Sequence, residues 1–459
     1  MLDLMTAARA VGARHIGADA EILRVTTDSR DVRSGDLFIG IRGDRFDGQA
    51  FAGQALQAGA AAAMVTDATV VKVPNARLLV VPDSRIALGQ LAAYWRSQFD
   101  IPLIAITGSN GKTTVKELLA CILRKAAGDN SVLATVGNLN NDIGMPLTLL
   151  SLRGSHRYAV IEMGMNHLGE ISYLSRLAKP AIALINNAGT AHIGELGSIE
   201  AIARAKGEIF EGLDRTGTAV INNDDAQADY WRNLVRSRKV VDFGLDRKAA
   251  VSARYELTDA GSLMTIQTPE GQLVATLNVP GMHNVKNALA AATVAYALEI
   301  DSQAIAEGLG AYQGVKGRLQ RKRMPSGVEL IDDTYNANQE SMKAAICVLA
   351  SRKGRKLLVM GDMGELGDNA ESIHIAIGEF AKRAGVDRLY ALGAMSELSA
   401  RSFGDAGRHF SSVEELALAV AAEAGAGSTV LVKGSRFMRM ERVVEALGAN
   451  SEKTAKGGA

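Results

Sequence analysis

Thr107-Gly108-Ser109-Asn110-Gly111-Lys112-Thr113-Thr114 decides the fold. An apolar run over residues 101–106 precedes it and reads as a buried strand. Residues 115–124 follow as a helix with Leu118, Leu119 and Ile122 at its apolar positions. Strand, glycine turn, Lys-Thr and helix make a phosphate cradle. Gly108 and Gly111 bracket Ser109 and Asn110 and let the backbone come close to phosphates, and the helix that opens at Lys112, Thr113 and Thr114 points N–H groups at them. Lys112 adds positive charge, and Thr113 offers a hydroxyl to Mg²⁺. The spacing is Gly-x-x-Gly-Lys-Thr; the longer Gly-x₄-Gly-Lys needs a glycine at 106, where the chain has Ile106. The competing reading is a glycine turn with an incidental lysine, and the flanking strand and helix argue against it.

Working outward, two more strands end on candidate groups. Residues 158–162 are an apolar strand closing on Glu162, and residues 181–185 run into a loop carrying His192. In an open parallel sheet the ligand sits beyond the strand C-termini, so Glu162 can reach a Mg²⁺ held by Thr113, and His192 lies on the same edge. Between them, residues 135–146 are dense in Asn and Gly, including Asn138, Asn140 and Asn141. The next helix has Ser198 as its N-cap and Ile199, Ile202, Ala203, Ile209 and Phe210 as its apolar stripe. Lys206 is four residues after Ile202 and falls on that stripe. An inward lysine is unfavourable unless paired, neutral or modified; the alternative is a lysine snorkelling off the stripe's edge. Further on, His283, Asn284 and Asn287 share one edge of a helix that opens after Gly281, and capping explains only one of the three.

The chain has 459 residues, enough for about three domains at ~150 residues each. It is 47% hydrophobic and 22% charged with a net charge of +1, which favours neither nucleic acid nor an anionic membrane surface as a partner. Cys121 and Cys347 read as separate core residues in a reducing compartment, not as a disulfide. Residues 1–17 carry Arg and Asp and lack a long apolar run, so no signal peptide is expected; no stretch reaches a membrane span, and a cytoplasmic location is expected.

Residues 1–99 read as a small α/β unit, with a helix over 84–99 capped by Ser84. Its clusters Thr26-Thr27-Asp28-Ser29-Arg30 and Arg42-Gly43-Asp44-Arg45-Phe46-Asp47-Gly48 read, on their own, as turn chemistry. A basic stretch over 316–323 reads as a junction. Beyond it, strands at 328–331, 357–360, 389–392 and 429–432 alternate with helices, a second doubly wound parallel sheet. Its strand ends carry Asp333 to Asn338, the loop 361–367, and Lys433-Gly434-Ser435-Arg436.

Together these motifs span nearly the whole chain and resemble the Mur ligases of peptidoglycan synthesis. Tyr335-Asn336-Ala337-Asn338 with Gly361-Asp362-Met363-Gly364-Glu365-Leu366-Gly367 points to the branch that adds D-alanyl-D-alanine. Gln339 stands where that branch usually has proline, and Gln49 where it usually has histidine. The resemblance implies three α/β domains: a small N-terminal one over 1–99 for a UDP-substrate, a central P-loop-type ATPase domain with a mainly parallel sheet over 100–316, and a C-terminal Rossmann-like one over 317–459 for the incoming dipeptide. It implies ATP-dependent amide formation between UDP-N-acetylmuramoyl-tripeptide and D-Ala-D-Ala through an acyl phosphate, by a monomer.

The resemblance also implies the roles. ATP would meet residues 108–114, His283, Asn284, Asn287, Arg318 and Asp333. Two Mg²⁺ would be held by Thr113, Glu162, His192 and a carbamylated Lys206; Lys112, Glu162, His192, Lys206 and Arg318 would be catalytic. Thr27, Asp28, Ser29, Arg30, Gln49, Asn138, Asn140 and Asn141 would face the UDP-substrate, and Tyr335, Asn336 and Asn338 the dipeptide. The alternatives are a sibling ligase adding one amino acid, a folylpolyglutamate synthase (which lacks a first domain like residues 1–99), and a regulatory ATPase that does not ligate.

Overall fold

The computed structural model describes residues 1–43 and 46–457. Asp44 and Arg45, in the middle of the second polar cluster of the first domain, lie outside the described residues.

Three α/β domains each carry a sheet. The first sheet runs Arg14–Ile16, Leu78–Val80, Ala62–Val65, Asp36–Ile39, Arg24–Thr26, parallel except at the Arg14–Ile16 edge. The central sheet has nine strands in the order Gly271–Leu277, Ser262–Thr268, Val251–Leu257, Lys239–Gly244, Thr218–Asn222, Ile182–Ile185, Leu103–Thr107, Tyr158–Glu162, Val132–Ala134. The last six of these are parallel, and the first three form an antiparallel meander at the far edge. Leu103–Thr107 pairs with Tyr158–Glu162 on one side and Ile182–Ile185 on the other, so the chain changes direction across the sheet here. That switch point opens a crevice at the strand C-termini. Its three strands are continuous apolar runs, as strands covered on both faces must be.

The third sheet runs Gln320–Arg323, Glu329–Asp333, Thr429–Lys433, Lys356–Gly361, Arg388–Leu392, Gly407–Phe410, parallel but for its first strand. Gln320–Arg323 lies inside the stretch expected to be a junction. Its exposed Arg321 and Arg323 alternate with partly buried residues, the pattern of an edge strand charged against further pairing.

The third domain's sheet is covered by two apolar layers made only of its own residues. The first domain differs. Leu4, Leu88 and Leu91 share one core with Leu149, Leu174 and Ile161 of the central domain.

Two local expectations need correction. Helix Ser84–Arg96 is capped by Asp83, whose carboxylate accepts the Arg85 and Ile86 N–H groups; Ser84 is the first helical residue instead. Cys347 is exposed and Cys121 only partly buried, so neither is a core residue; both thiols are free.

Candidate functional site

The phosphate loop follows Leu103–Thr107 and feeds helix Lys112–Ala127. Gly111 caps that helix at φ 83°, and a Cβ there would sit 2.2 Å from Asn287 Oδ1 and 2.6 Å from Asn186 Nδ2, so only glycine fits. The loop is held from behind by amides. Asn187 Oδ1 accepts the Asn110 N–H at 2.8 Å, and Asn186 Nδ2 donates to Asn110 O and to Asn287 Oδ1, both at 3.0 Å. Asn284 Nδ2 donates to Pro280 O at 2.7 Å, tying the first turn of helix Met282–Ala297 to the residue before its cap.

Ahead of the loop the charged groups converge. Thr113 Oγ1 donates to Glu162 Oε2 at 2.7 Å, and Asn140 Nδ2 donates to Glu162 Oε1 at 2.8 Å. Glu162 is 2% exposed at the end of its strand. Arg318 comes from the far side, lying 4.2 Å over the Tyr335 ring and donating to Thr113 Oγ1 at 2.9 Å. Lys112 Nζ donates to Gly108 O at 2.6 Å. Burial lowers its ammonium below the ordinary lysine value against the pull of Glu162.

Lys206 faces inward, as its place on the apolar stripe predicts. It is 1% exposed, and its ammonium has no hydrogen-bond or ion-pair partner among the described residues. Burial pushes it well below the ordinary lysine value, and the nearby Lys112 adds to the shift. The Ser198 cap of its helix forms as expected, its hydroxyl oxygen accepting the Ala201 N–H at 3.1 Å. His192 is held at φ 66°, a strained conformation for a residue with a side chain. Its Nδ1 stands 2.8 Å from Glu365 Oε2, an ion-pair approach not aligned along a ring N–H. Burial and the Lys433 ammonium push the half-buried His283 down to about 4.

The third domain closes over this edge. Asn338 Nδ2 donates to Asn110 Oδ1 at 2.8 Å, from the cap of helix Gln339–Ala350. Glu340 accepts the Thr190 N–H at 2.8 Å and its hydroxyl at 2.7 Å. Gly194 N donates to Glu365 O at 3.1 Å. Lys433 Nζ donates to Asp333 Oδ2 at 2.6 Å and to Asn336 O at 2.9 Å, fixing the loop after Glu329–Asp333.

The result is a cleft of about 970 Å³ between the central and third domains. Of the predicted residues it is lined by 109–114, Asn138, Asn140, Glu162, His192, His283, Asn284, Asn287, Arg318, Asp333, Tyr335, Asn336 and Asn338. Gly108, Lys206 and Asn141 lie behind its wall; Asn141 Oδ1 accepts the Gly144 N–H at 2.8 Å and starts helix Gly144–Leu149. Thr27, Asp28, Ser29, Arg30 and Gln49 lie away from it on the first domain. Asp28 and the exposed Arg30 pair with each other at 2.7 Å. Gln49 is buried, with Oε1 accepting the Thr66 N–H at 2.6 Å and its hydroxyl at 2.8 Å. Sequence reasoning passed over Glu340, Glu365 and Lys433 as site residues. The last two stood in motifs already flagged at strand ends, whereas Glu340 has no local signal because its partner is 150 residues away.

Three family models match the chain in order: Mur ligase family, catalytic domain, over residues 21–96; Mur ligase middle domain over 106–295; and Mur ligase, glutamate ligase domain, over 317–436. The UDP-N-acetylmuramoyl-tripeptide–D-alanyl-D-alanine ligase of Escherichia coli K12 is 42% identical over 95% of both chains. Among solved structures, MurF from Acinetobacter baumannii superposes with a TM-score of 0.90 at 37% identity, covering 97% of this chain and 98% of that one. MurF ligase from Thermotoga maritima in complex with ADP superposes at 0.82 with 29% identity, covering 94% and 98%.

Proposed function

The chain belongs to the Mur ligase family, and on that premise we propose that it joins D-Ala-D-Ala to UDP-N-acetylmuramoyl-tripeptide at the expense of ATP. The observation that carries this reading is the single cleft in which the phosphate loop, Glu162 and Arg318 meet the strand-end loops of the third domain. Residues 1–99 then take the UDP-substrate, 100–316 ATP, and 317–459 the dipeptide.

A carboxylate is a poor acyl donor until it acquires a leaving group. The tripeptide's terminal carboxylate attacks the γ-phosphorus, the bond to ADP breaks, and an acyl phosphate forms. The dipeptide amine attacks its carbonyl carbon, and the tetrahedral intermediate collapses with loss of phosphate. Such chemistry asks a protein for placement and charge stabilisation above all. Lys112 and the loop N–H groups bring positive charge to the phosphates from below. Arg318 adds its charge from above, and its grip on Tyr335 and Thr113 ties that charge to docking of the third domain. His283, Asn284 and Asn287 edge the nucleotide's base, and Tyr335, Asn336 and Asn338 face the dipeptide.

Thr113 and Glu162 offer two hard oxygens already in contact, a set that suits one Mg²⁺. Lys206, buried and unpartnered, suits carbamylation, which turns the cation into an anion; with His192 it would serve a second Mg²⁺. Bound there, the ions would neutralise charge on the transferring phosphoryl group. Native intact-mass measurement in bicarbonate should find one added CO₂ that is missing in Lys206→Ala; an unmodified wild-type chain would count against the modification.

The function is tested by phosphate release with ATP, Mg²⁺ and UDP-muramoyl-tripeptide, adding D-Ala-D-Ala or D-Ala alone. Release that requires the dipeptide, with a pentapeptide product by mass, is expected. Release with D-Ala alone moves the function to a sibling ligase, and release without any acceptor to a plain ATPase.

A further inference from the structure

Lys116 is 1% exposed, on the buried face of the phosphate-loop helix, and the mechanism above does not use it. A methionine would fill the same space with no charge to desolvate, so stability alone does not explain a lysine here. Its ammonium pairs with Glu117 at 2.5 Å and donates to the Thr135 carbonyl at 2.6 Å. The Thr135 hydroxyl accepts the backbone N–H of Glu162 at 2.9 Å. The Glu162 carboxylate in turn accepts the Thr113 hydroxyl at 2.7 Å. Thr113 and Lys116 are one turn apart on the same helix, so these contacts close a ring. The ring holds Glu162 at its backbone from one side and at its carboxylate from the other.

We propose that Lys116 is a positioning residue for Glu162, setting through Thr135 the hard-cation site that Glu162 shares with Thr113. The proposal rests on the reading that this pair holds Mg²⁺ and adds a residue to it. A lysine that merely tied strand Val132–Ala134 to the helix would change stability and leave cation affinity alone.

The test uses Mn²⁺ in place of Mg²⁺, titrated into the full chain with a saturating non-hydrolysable ATP analogue and followed by electron paramagnetic resonance. Lys116→Met is expected to bind Mn²⁺ about ten-fold more weakly, the low end of what loss of an outer-shell partner does, with analogue affinity in the absence of metal unchanged. Thr135→Val breaks the ring from its other side without touching the lysine and should weaken Mn²⁺ similarly; Thr135→Ser keeps the hydroxyl and should match wild type. If Lys116→Met does not fold, the Thr135 pair decides. Wild-type Mn²⁺ affinity in a folded Lys116→Met, or in Thr135→Val, overturns the proposal. A wild-type chain that takes up no Mn²⁺ overturns the metal reading beneath it, so the two failures are told apart.

Discussion

Glu340→Ala removes a carboxylate that joins the central and third domains. Glu340 accepts both the N–H and the hydroxyl of Thr190, at 2.8 and 2.7 Å. A hydrogen bond to an ionised group contributes about 1.5–3 kcal/mol net, but Glu340 is only half-buried on a cleft wall, where water replaces part of what is lost. About 2 kcal/mol for the two bonds together is a fair working figure, which is about 30-fold in the docking equilibrium. The contact exists only when the third domain is docked, whereas ATP meets the phosphate loop through groups Glu340 does not touch. kcat/KM for the dipeptide should therefore fall by up to about 30-fold, while calorimetric ATP binding without dipeptide falls much less, by the share that Arg318 adds when the third domain is docked. Glu340→Gln keeps a neutral acceptor and should lie between. Combined with Thr190→Val, which spares the backbone bond, Glu340→Ala should show a coupling of about 1 kcal/mol. The reasoning is refuted if Glu340→Ala has wild-type dipeptide kinetics, or if it loses ATP affinity and dipeptide kinetics in equal measure.

Gln339→Pro should stabilise the chain by about 0.4–1 kcal/mol, seen as a higher midpoint in denaturant. Asn338 is already extended at φ −137° and ψ 175°, as a residue before proline must be, and the first helical N–H has no intrahelical partner to lose. A lower midpoint would contradict this. Gln49→Ala leaves the Thr66 N–H unpaired and should lower stability by about 2 kcal/mol with KM for the UDP-substrate unchanged. A raised KM with stability intact would instead put Gln49 on the substrate. His283, held down to about 4, binds its proton more readily unfolded, so it costs stability as pH falls from about 6.5 towards 4 and nothing above that window. Discounted for its half-buried ring, His283→Asn should recover about 1 kcal/mol of the stability lost between pH 7 and pH 5. Equal acid sensitivity of the two proteins would show the imidazole to be solvated.

The phosphate loop and the two strand ends beside it were legible because each is local: glycines, a lysine and apolar runs within a few residues. Lys206 was legible because a helix repeats every 3.6 residues, so a charge on the apolar stripe stands out. Lys116 carries that same signal four residues after Lys112, on a face with Leu119 and Leu123, and was overlooked beside the louder glycine motif. Asp83 beat Ser84 to the helix cap by one residue, a choice that depends on where the preceding turn leaves the backbone. Gln320–Arg323 was hidden by its charges, which suit a junction as well as an edge strand. Two pairs that shape the cleft lie far apart in the chain: Glu340 and Thr190, 150 residues apart, meet only where the third domain docks on the central one, and Lys433 and Asp333, 100 residues apart, meet because their strands pair in the third sheet.

The cores of the three domains are unequally shared. Helices Leu4–Val11 and Ser84–Arg96 of the first domain are buried into the same apolar mass as the central sheet, whereas the third domain has both of its apolar layers to itself and meets its neighbour through Asn338, Glu340, Glu365 and Arg318 at the cleft and through Arg321 and Arg352, which both donate to Asp259 O, outside it. The third domain is thus a cartridge and the first a weld. A different cartridge behind residue 317 would have to rebuild those polar contacts but no shared apolar core, so, on the proposed assignment of the domains, the acceptor side is free to change while the nucleotide and donor sides stay one block.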